Sequence, residues 1–135
     1  MSDNGQFVPR SLKNWFIVHC IVDLVFALPL LFFPKLFLSR LGWPYYDPMT
    51  CRIVAAALIG IGLESYLGRN ASRDMYAGML RLKIIWSLSA TVGILTAMFS
   101  VEERPIIGLL LALVFAAFNA LWVFWWMKLR TPEVK

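Results

Sequence analysis

Four apolar stretches divide the chain, at residues 14–33, 50–67, 76–98 and 106–127, and polar, charged, proline- or glycine-bearing segments separate them. Each is close to the ~20 residues a helix needs to cross roughly 30 Å of hydrocarbon. None carries the continuous charged face that a helix in a water-soluble bundle turns to solvent. The pattern predicts an all-α fold: one integral membrane bundle of four transmembrane helices over residues 1–135.

The segments between the stretches predict how they connect. Trp15 stands where an aromatic belt meets the headgroups. Pro29 lies inside the first helix and Pro34 is expected to end it. Arg10 and Lys13 resemble the basic start of a signal peptide. The apolar run that follows is too long, however, and ends in Phe32-Phe33-Pro34-Lys35 instead of a small-residue cleavage site, so it reads as a retained helix. In the connection 34–49, Leu36, Phe37, Leu38 and Leu41 alternate with Lys35, Ser39 and Arg40 at near-helical spacing, which predicts a short interfacial helix between helices one and two. Gly42-Trp43-Pro44-Tyr45-Tyr46 then turns the chain, and Asp47-Pro48 is a helix start. Gly68 reads as a stop signal for the second helix. Asn70-Ala71-Ser72 matches a glycosylation sequon but sits against the membrane on the side assigned below to the cytoplasm, and is discounted.

Small residues four apart are expected to mark faces of close helix approach. The second helix offers Arg52, Ala56, Gly60 and Glu64, the third Ser89, Gly93 and Ala97, and the fourth Gly108, Ala112, Ala116 and Ala120. Trp122, Trp125 and Trp126 read as an interface anchor.

Composition agrees with the membrane reading. Hydrophobic residues make up 60% of the chain and mean hydropathy is +0.70. The net charge of +5 does not point to nucleic acid, because Lys and Arg flank the apolar runs and form no basic patch with interleaved aromatics. Nine basic residues (Arg10, Lys13, Arg69, Arg73, Arg81, Lys83, Lys128, Arg130 and Lys135) fall on the side of the termini, against four (Lys35, Arg40, Arg52 and Arg104) on the other. The positive-inside rule then puts both termini in the cytoplasm of a multi-pass protein, expected in a bacterial inner membrane. Cys20 and Cys51 form no C-x-x-C and are expected at different depths, so neither a redox pair nor a disulfide is expected.

The candidate chemistry is a set of polar residues inside the runs. At about 1.5 Å per residue, His19 and Asp23 lie roughly 8 and 13 Å from the cytoplasmic end, Glu64 about 6 Å, Arg81 about 8 Å and Asn119 about 12 Å. A charge at such a depth costs at least about 2.5–3.5 kcal/mol on the insertion scale. Pairing offsets that cost, and Glu64 is expected to pair with Arg81, or with Lys83 as second choice. His19 is expected to donate to Asp23 one turn away, or Asp23 to accept from Asn119. A proton relay or polar-ligand cavity needs titratable groups of this kind. A satisfied polar knot fixing helix register needs the same residues, and it is favoured because the outer half supplies nothing to complete a path. His19 has no second ligand at metal spacing, and no nucleophile–base pair or phosphate loop is visible; no catalytic residue, metal or cofactor is expected.

Phe33-Pro34, Leu41-Gly42-Trp43, Asp47-Pro48, Arg52, Gly60, Gly62, Arg69, Lys83, Trp86, Asn119 and Trp122 together resemble a broad group of small bacterial membrane proteins with four helices. The Asn119 position often looks acidic in that group and is neutral here. The resemblance implies a fold and no activity. The function expected is that of a lipid- or partner-binding membrane protein, an accessory subunit or homo-oligomer. The alternatives are a small oligomeric transporter or channel using the inner-half cluster, then a lipid-modifying enzyme.

Overall fold

A computed structural model describes residues 8–131, and among these the chain is helical without strands. The helices are α1 (Arg10–Phe32), α2 (Pro34–Arg40), α3 (Pro48–Leu67), α4 (Arg73–Phe99) and α5 (Ile106–Arg130), with one 3₁₀ turn at Gly68–Asn70. The four long helices are long and apolar enough to span a membrane, and α2 is the short helix expected between the first two. Residues 1–7 and 132–135, including Lys135 of the charge count, lie outside the described residues.

Local chemistry sets the boundaries. Helix α1 ends at Phe32, just before Pro34 as expected, and Pro34 itself occupies the first turn of α2, where a missing N–H costs nothing. Phe33 closes α1 by donating its N–H to the Pro29 carbonyl at 2.8 Å. Helix α2 ends in a Schellman motif. Gly42 adopts φ +76°, its N–H meets the Ser39 carbonyl, and the Trp43 N–H reaches the Leu38 carbonyl at 2.9 Å. Asp47 caps α3 by accepting from the Thr50 N–H at 2.6 Å. That bond holds its carboxyl below the usual range. The cap's contribution is therefore complete above a pH of about 4 and is lost as pH falls through the lowered value. Ser72 caps α4, which therefore begins at Arg73 and not at 76. Gly68 is no left-handed stop: its φ is −78°, and it is buried against Met79, whose sulfur would lie 3.0 Å from an added Cβ.

Helix α1 packs antiparallel along α3, and α4 along α5. Side chains join the two pairs. At the end where α1 begins, Leu12, Phe16, Tyr76, Leu80, Trp122, Trp125 and Leu129 form one core, with the Phe16 ring 4.8 Å from Tyr76 and 5.7 Å from Trp122. Toward the other end a smaller cluster of Ala27, Ala55 and Leu58 is flanked by Phe26, Leu30, Ile59 and Trp86.

The faces of close approach differ from those expected. On α3, Arg52, Ala56, Gly60 and Glu64 are all exposed, and the buried stripe is Cys51, Ala55, Leu58, Gly62 and Ser65. Ser89, Gly93 and Ala97 on α4 are exposed as well, and of the α5 series Gly108 and Ala112 are buried while Ala116 and Ala120 are not. Small residues four apart drift around a helix of about 3.6 residues per turn, whereas the alternating four-and-three spacing of the α3 stripe stays on one side. Trp122 and Trp125 are buried in the core and are not surface anchors.

Gly62 marks a close approach of α1 and α3: an added Cβ would lie 2.8 Å from the Asp23 Cβ, while one at Gly60 meets nothing within 4 Å. Gly62→Ala should therefore destabilise the detergent-solubilised protein by about 1–3 kcal/mol through overpacking. Gly60→Ala should be neutral or slightly stabilising, since Ala is the better helix former by ~1 kcal/mol. Thermal unfolding of the two variants side by side checks this, and equal effects would contradict the assigned face.

Candidate functional site

The buried polar residues gather around one cation. Lys83 is 3% exposed in the middle of α4. Its place follows from the stripe Tyr76, Met79, Leu80, Lys83 and Ser87, which is the inward side of that helix. Arg81 is only two positions away, about 200° around the helix, and so cannot share that side. It is exposed on another face.

Lys83 Nζ donates to Ser65 Oγ of α3 at 2.7 Å and lies 3.1 Å from His19 Nδ1 of α1. Ser65 in turn donates to the Ile61 carbonyl at 2.6 Å. The ammonium also stands 5.0 Å from the ring centre of Phe16 and 5.2 Å from that of Trp122. Both distances are within the range where an aromatic face attracts a cation. His19 is boxed edge-on by Phe118 and Trp122, at 4.9 and 5.1 Å between ring centres. Asp23, 5% exposed, supplies the balancing charge. Its Oδ2 is 2.8 Å from His19 Nδ1, at ion-pair distance but without the alignment of a hydrogen bond.

A single ring nitrogen thus faces both the cation and the carboxylate. Nδ1 carries either a hydrogen or a lone pair. With the lone pair it accepts from Lys83, and Asp23 acts as counter-ion alone; with the hydrogen it presents a positive edge 2.8 Å from Asp23 Oδ2, and Lys83 relies on Ser65 and the aromatic faces. With the imidazole neutral, one ammonium and one carboxylate leave the group of three without net charge.

The network continues into the second helix pair through the backbone of α4. Ser87 Oγ donates to the Lys83 carbonyl at 2.7 Å. Asn119 of α5 donates through Nδ2 to Ser87 Oγ at 3.0 Å and to the Ile84 carbonyl at 2.8 Å. One connected set of polar groups therefore touches α1, α3, α4 and α5.

Of the six candidate residues, His19, Asp23, Lys83 and Asn119 belong to this set. The expected Glu64–Arg81 pair does not form: both side chains are exposed, Glu64 beside a cavity of about 240 Å³ between α3 and α4, Arg81 beside another between α4 and α5. Glu64 does not reach Lys83 either, because Ser65, on the buried stripe, holds that position. Asn119 spends its amide on α4 and not on Asp23. Ser65, Ser87, Phe16 and Trp122 were not anticipated. Their signal was their place on the buried stripes, visible once Lys83 is taken as inward-facing. Among the described residues no group of three His, Cys, Asp or Glu is arranged for a metal, and Cys20 and Cys51 are free thiols.

Comparison of the chain with protein-family models, curated proteins and solved structures finds no match, so the resemblance noted above stands on its short motifs alone.

Removing one side of the buried charge pair leaves the other uncompensated, at a cost of about 3–5 kcal/mol. Lys83→Met is expected to destabilise the protein on that scale. The Lys83→Met/Asp23→Asn double variant should recover much of the loss, because no buried charge remains. A double-mutant cycle on unfolding in detergent measures the coupling, and strictly additive losses would show that the two charges do not sense each other.

Proposed function

We propose that this is a non-catalytic, lipid- or partner-binding membrane protein that acts as an accessory subunit, and that its polar cluster is structural. The observation that carries this reading is the burial of the cluster: Ser65 and Lys83 border the cavity between α3 and α4, yet they stay 1% and 3% exposed. His19, Asp23, Ser65, Lys83 and Ser87 are all buried, aromatic rings wall them on the side of the chain termini, and the apolar Ala27–Ala55–Leu58 cluster follows on the other. A solute path needs polar groups at successive depths, whereas a register lock needs them at one. The long helices also keep apolar side chains on their outer faces, Ile21, Val25, Ile85, Val92, Leu109 and Leu113 among them, as contact with lipid or another membrane helix requires. The positive-inside balance supports a bacterial inner-membrane topology with both termini cytoplasmic.

A second reading, a proton or cation site, draws on one observation: Asp23 Oδ2 is buried without a hydrogen-bond donor beside an imidazole nitrogen that also faces Lys83. Flux into proteoliposomes separates the two. In the structural reading wild type shows no proton or cation flux above empty liposomes, and Asp23→Asn shows none either; it folds but melts earlier than wild type, because Lys83 loses its buried counter-charge. Flux in wild type that vanishes in a well-folded Asp23→Asn would replace the structural reading with the relay.

Orientation is tested separately. In a background without native cysteines, Ser72→Cys should resist an impermeant thiol reagent in intact cells and Ser100→Cys should react. The reverse pattern would invert the topology.

A further inference from the structure

We propose that the cleft between the start of α4 and the end of α5 binds the phosphate of an anionic phospholipid. The inference names the lipid for the lipid-binding reading and rests on it. A cavity of about 420 Å³ lies there, lined by Arg73, Arg81 and Arg130 with Asp74, Trp126 and the apolar Ala77 and Leu129. Among the described residues, three guanidinium groups and one carboxylate line the cleft, an excess of positive charge.

The arginines divide the work. Arg73 braces the cleft: its Nε donates to the Leu129 carbonyl at 2.9 Å and its Nη2 to the same oxygen, joining the first residue of α4 to the last turn of α5. Arg130 lies against the Trp126 ring, 4.5 Å from its centre, which sets the guanidinium over the cleft. Arg81 has no hydrogen bond or ion pair with another described residue, and of the three arginines it is the one with no described partner.

Placement decides the source of the anion. Arg81 is eight residues beyond Arg73, roughly 12 Å along the helix axis and inside the spanning segment. An arginine at that depth lays its aliphatic stem along apolar surface and returns its head toward the membrane boundary. A phosphate held between Arg81 and Arg130 therefore sits at headgroup depth, with hydrocarbon on its inner side. A phosphodiester carrying acyl chains satisfies both surroundings, and a free phosphate does not. Guanidinium forks match phosphate oxygens in pairs, and basic pockets between transmembrane helices suit anionic headgroups.

The test is native mass spectrometry of the full chain in detergent, titrated in parallel with phosphatidylglycerol, phosphatidylcholine and inorganic phosphate. Wild type should retain phosphatidylglycerol in clear preference to phosphatidylcholine and show no retention of inorganic phosphate. At about 1 kcal/mol per arginine near the surface, Arg81→Gln and Arg130→Gln should each weaken that preference about fivefold and the double variant about 25-fold. Lys128→Gln should leave it unchanged, because Lys128 lies over Phe124 and Trp125 and not in the cleft. Asp74→Asn, which removes the negative group among the described lining residues, should strengthen it and gives a readout independent of any loss of fold. Equal retention of the two lipids, a preference untouched in the arginine variants, or phosphate bound without lipid would overturn the proposal. None of these variants alters His19, Asp23 or Lys83, so failure here leaves the flux result to stand or fall alone.

Discussion

A lysine ammonium held inside a spanning helix bundle is the constraint on which the rest of this structure depends. Lys83 cannot reach the membrane surface from the inward stripe of α4, and hydrocarbon cannot solvate it. The fold answers by bringing a hydroxyl from α3, an imidazole and a carboxylate from α1, and two aromatic faces from α1 and α5 to the same point. Each of those groups has its own spatial demand. Asp23 needs the neighbouring backbone of α3 close by, which is why a glycine stands at position 62 and nothing larger fits. Ser87 and Asn119 then tie the α4–α5 pair through main-chain carbonyls of the same turn.

The two ends of the bundle consequently differ. Near the chain termini, aromatic and aliphatic side chains from three helices close into one core, and Arg73 links α4 to the last turn of α5. At the far end, packing is largely within each helix pair, and Gly108 of α5 sits close under Met98 of α4 and the Trp43 ring from the loop after α2. The polar cluster lies between these regions and marks the depth at which the two pairs are specified against one another.

The fold was legible in the sequence because four long apolar runs admit few alternatives to spanning helices; the helices extend a few residues beyond those runs, to Arg10 and Arg130 for example, and the capping residue Ser72 starts α4 before its apolar run begins. The site was legible by residue type and depth but not by direction. Depth follows from counting residues; direction depends on which stripe faces inward, and the four-residue series through Gly60 and Glu64 suggested a stripe that drifts. That error placed Glu64 and Arg81 inside and left out Ser65. The competing claim of Arg81 and Lys83 for the interior is a two-position difference on one helix, which periodicity resolves only when the whole run from Tyr76 to Ser87 is considered together.

The order in which the cluster's members leave the ribosome gives the arrangement a consequence for biogenesis. Domains and their elements emerge from the N-terminus onward, so His19 and Asp23 of α1 enter the membrane first, Ser65 of α3 next, and the balancing cation only with α4. While the chain between positions 23 and 83 is being synthesised, Asp23 stands in α1 without the lysine that completes its cluster in the finished bundle. The carboxylate of α1 is therefore in place before the cation that balances it, and the polar cluster is complete only once α4 has joined the pair α1–α3.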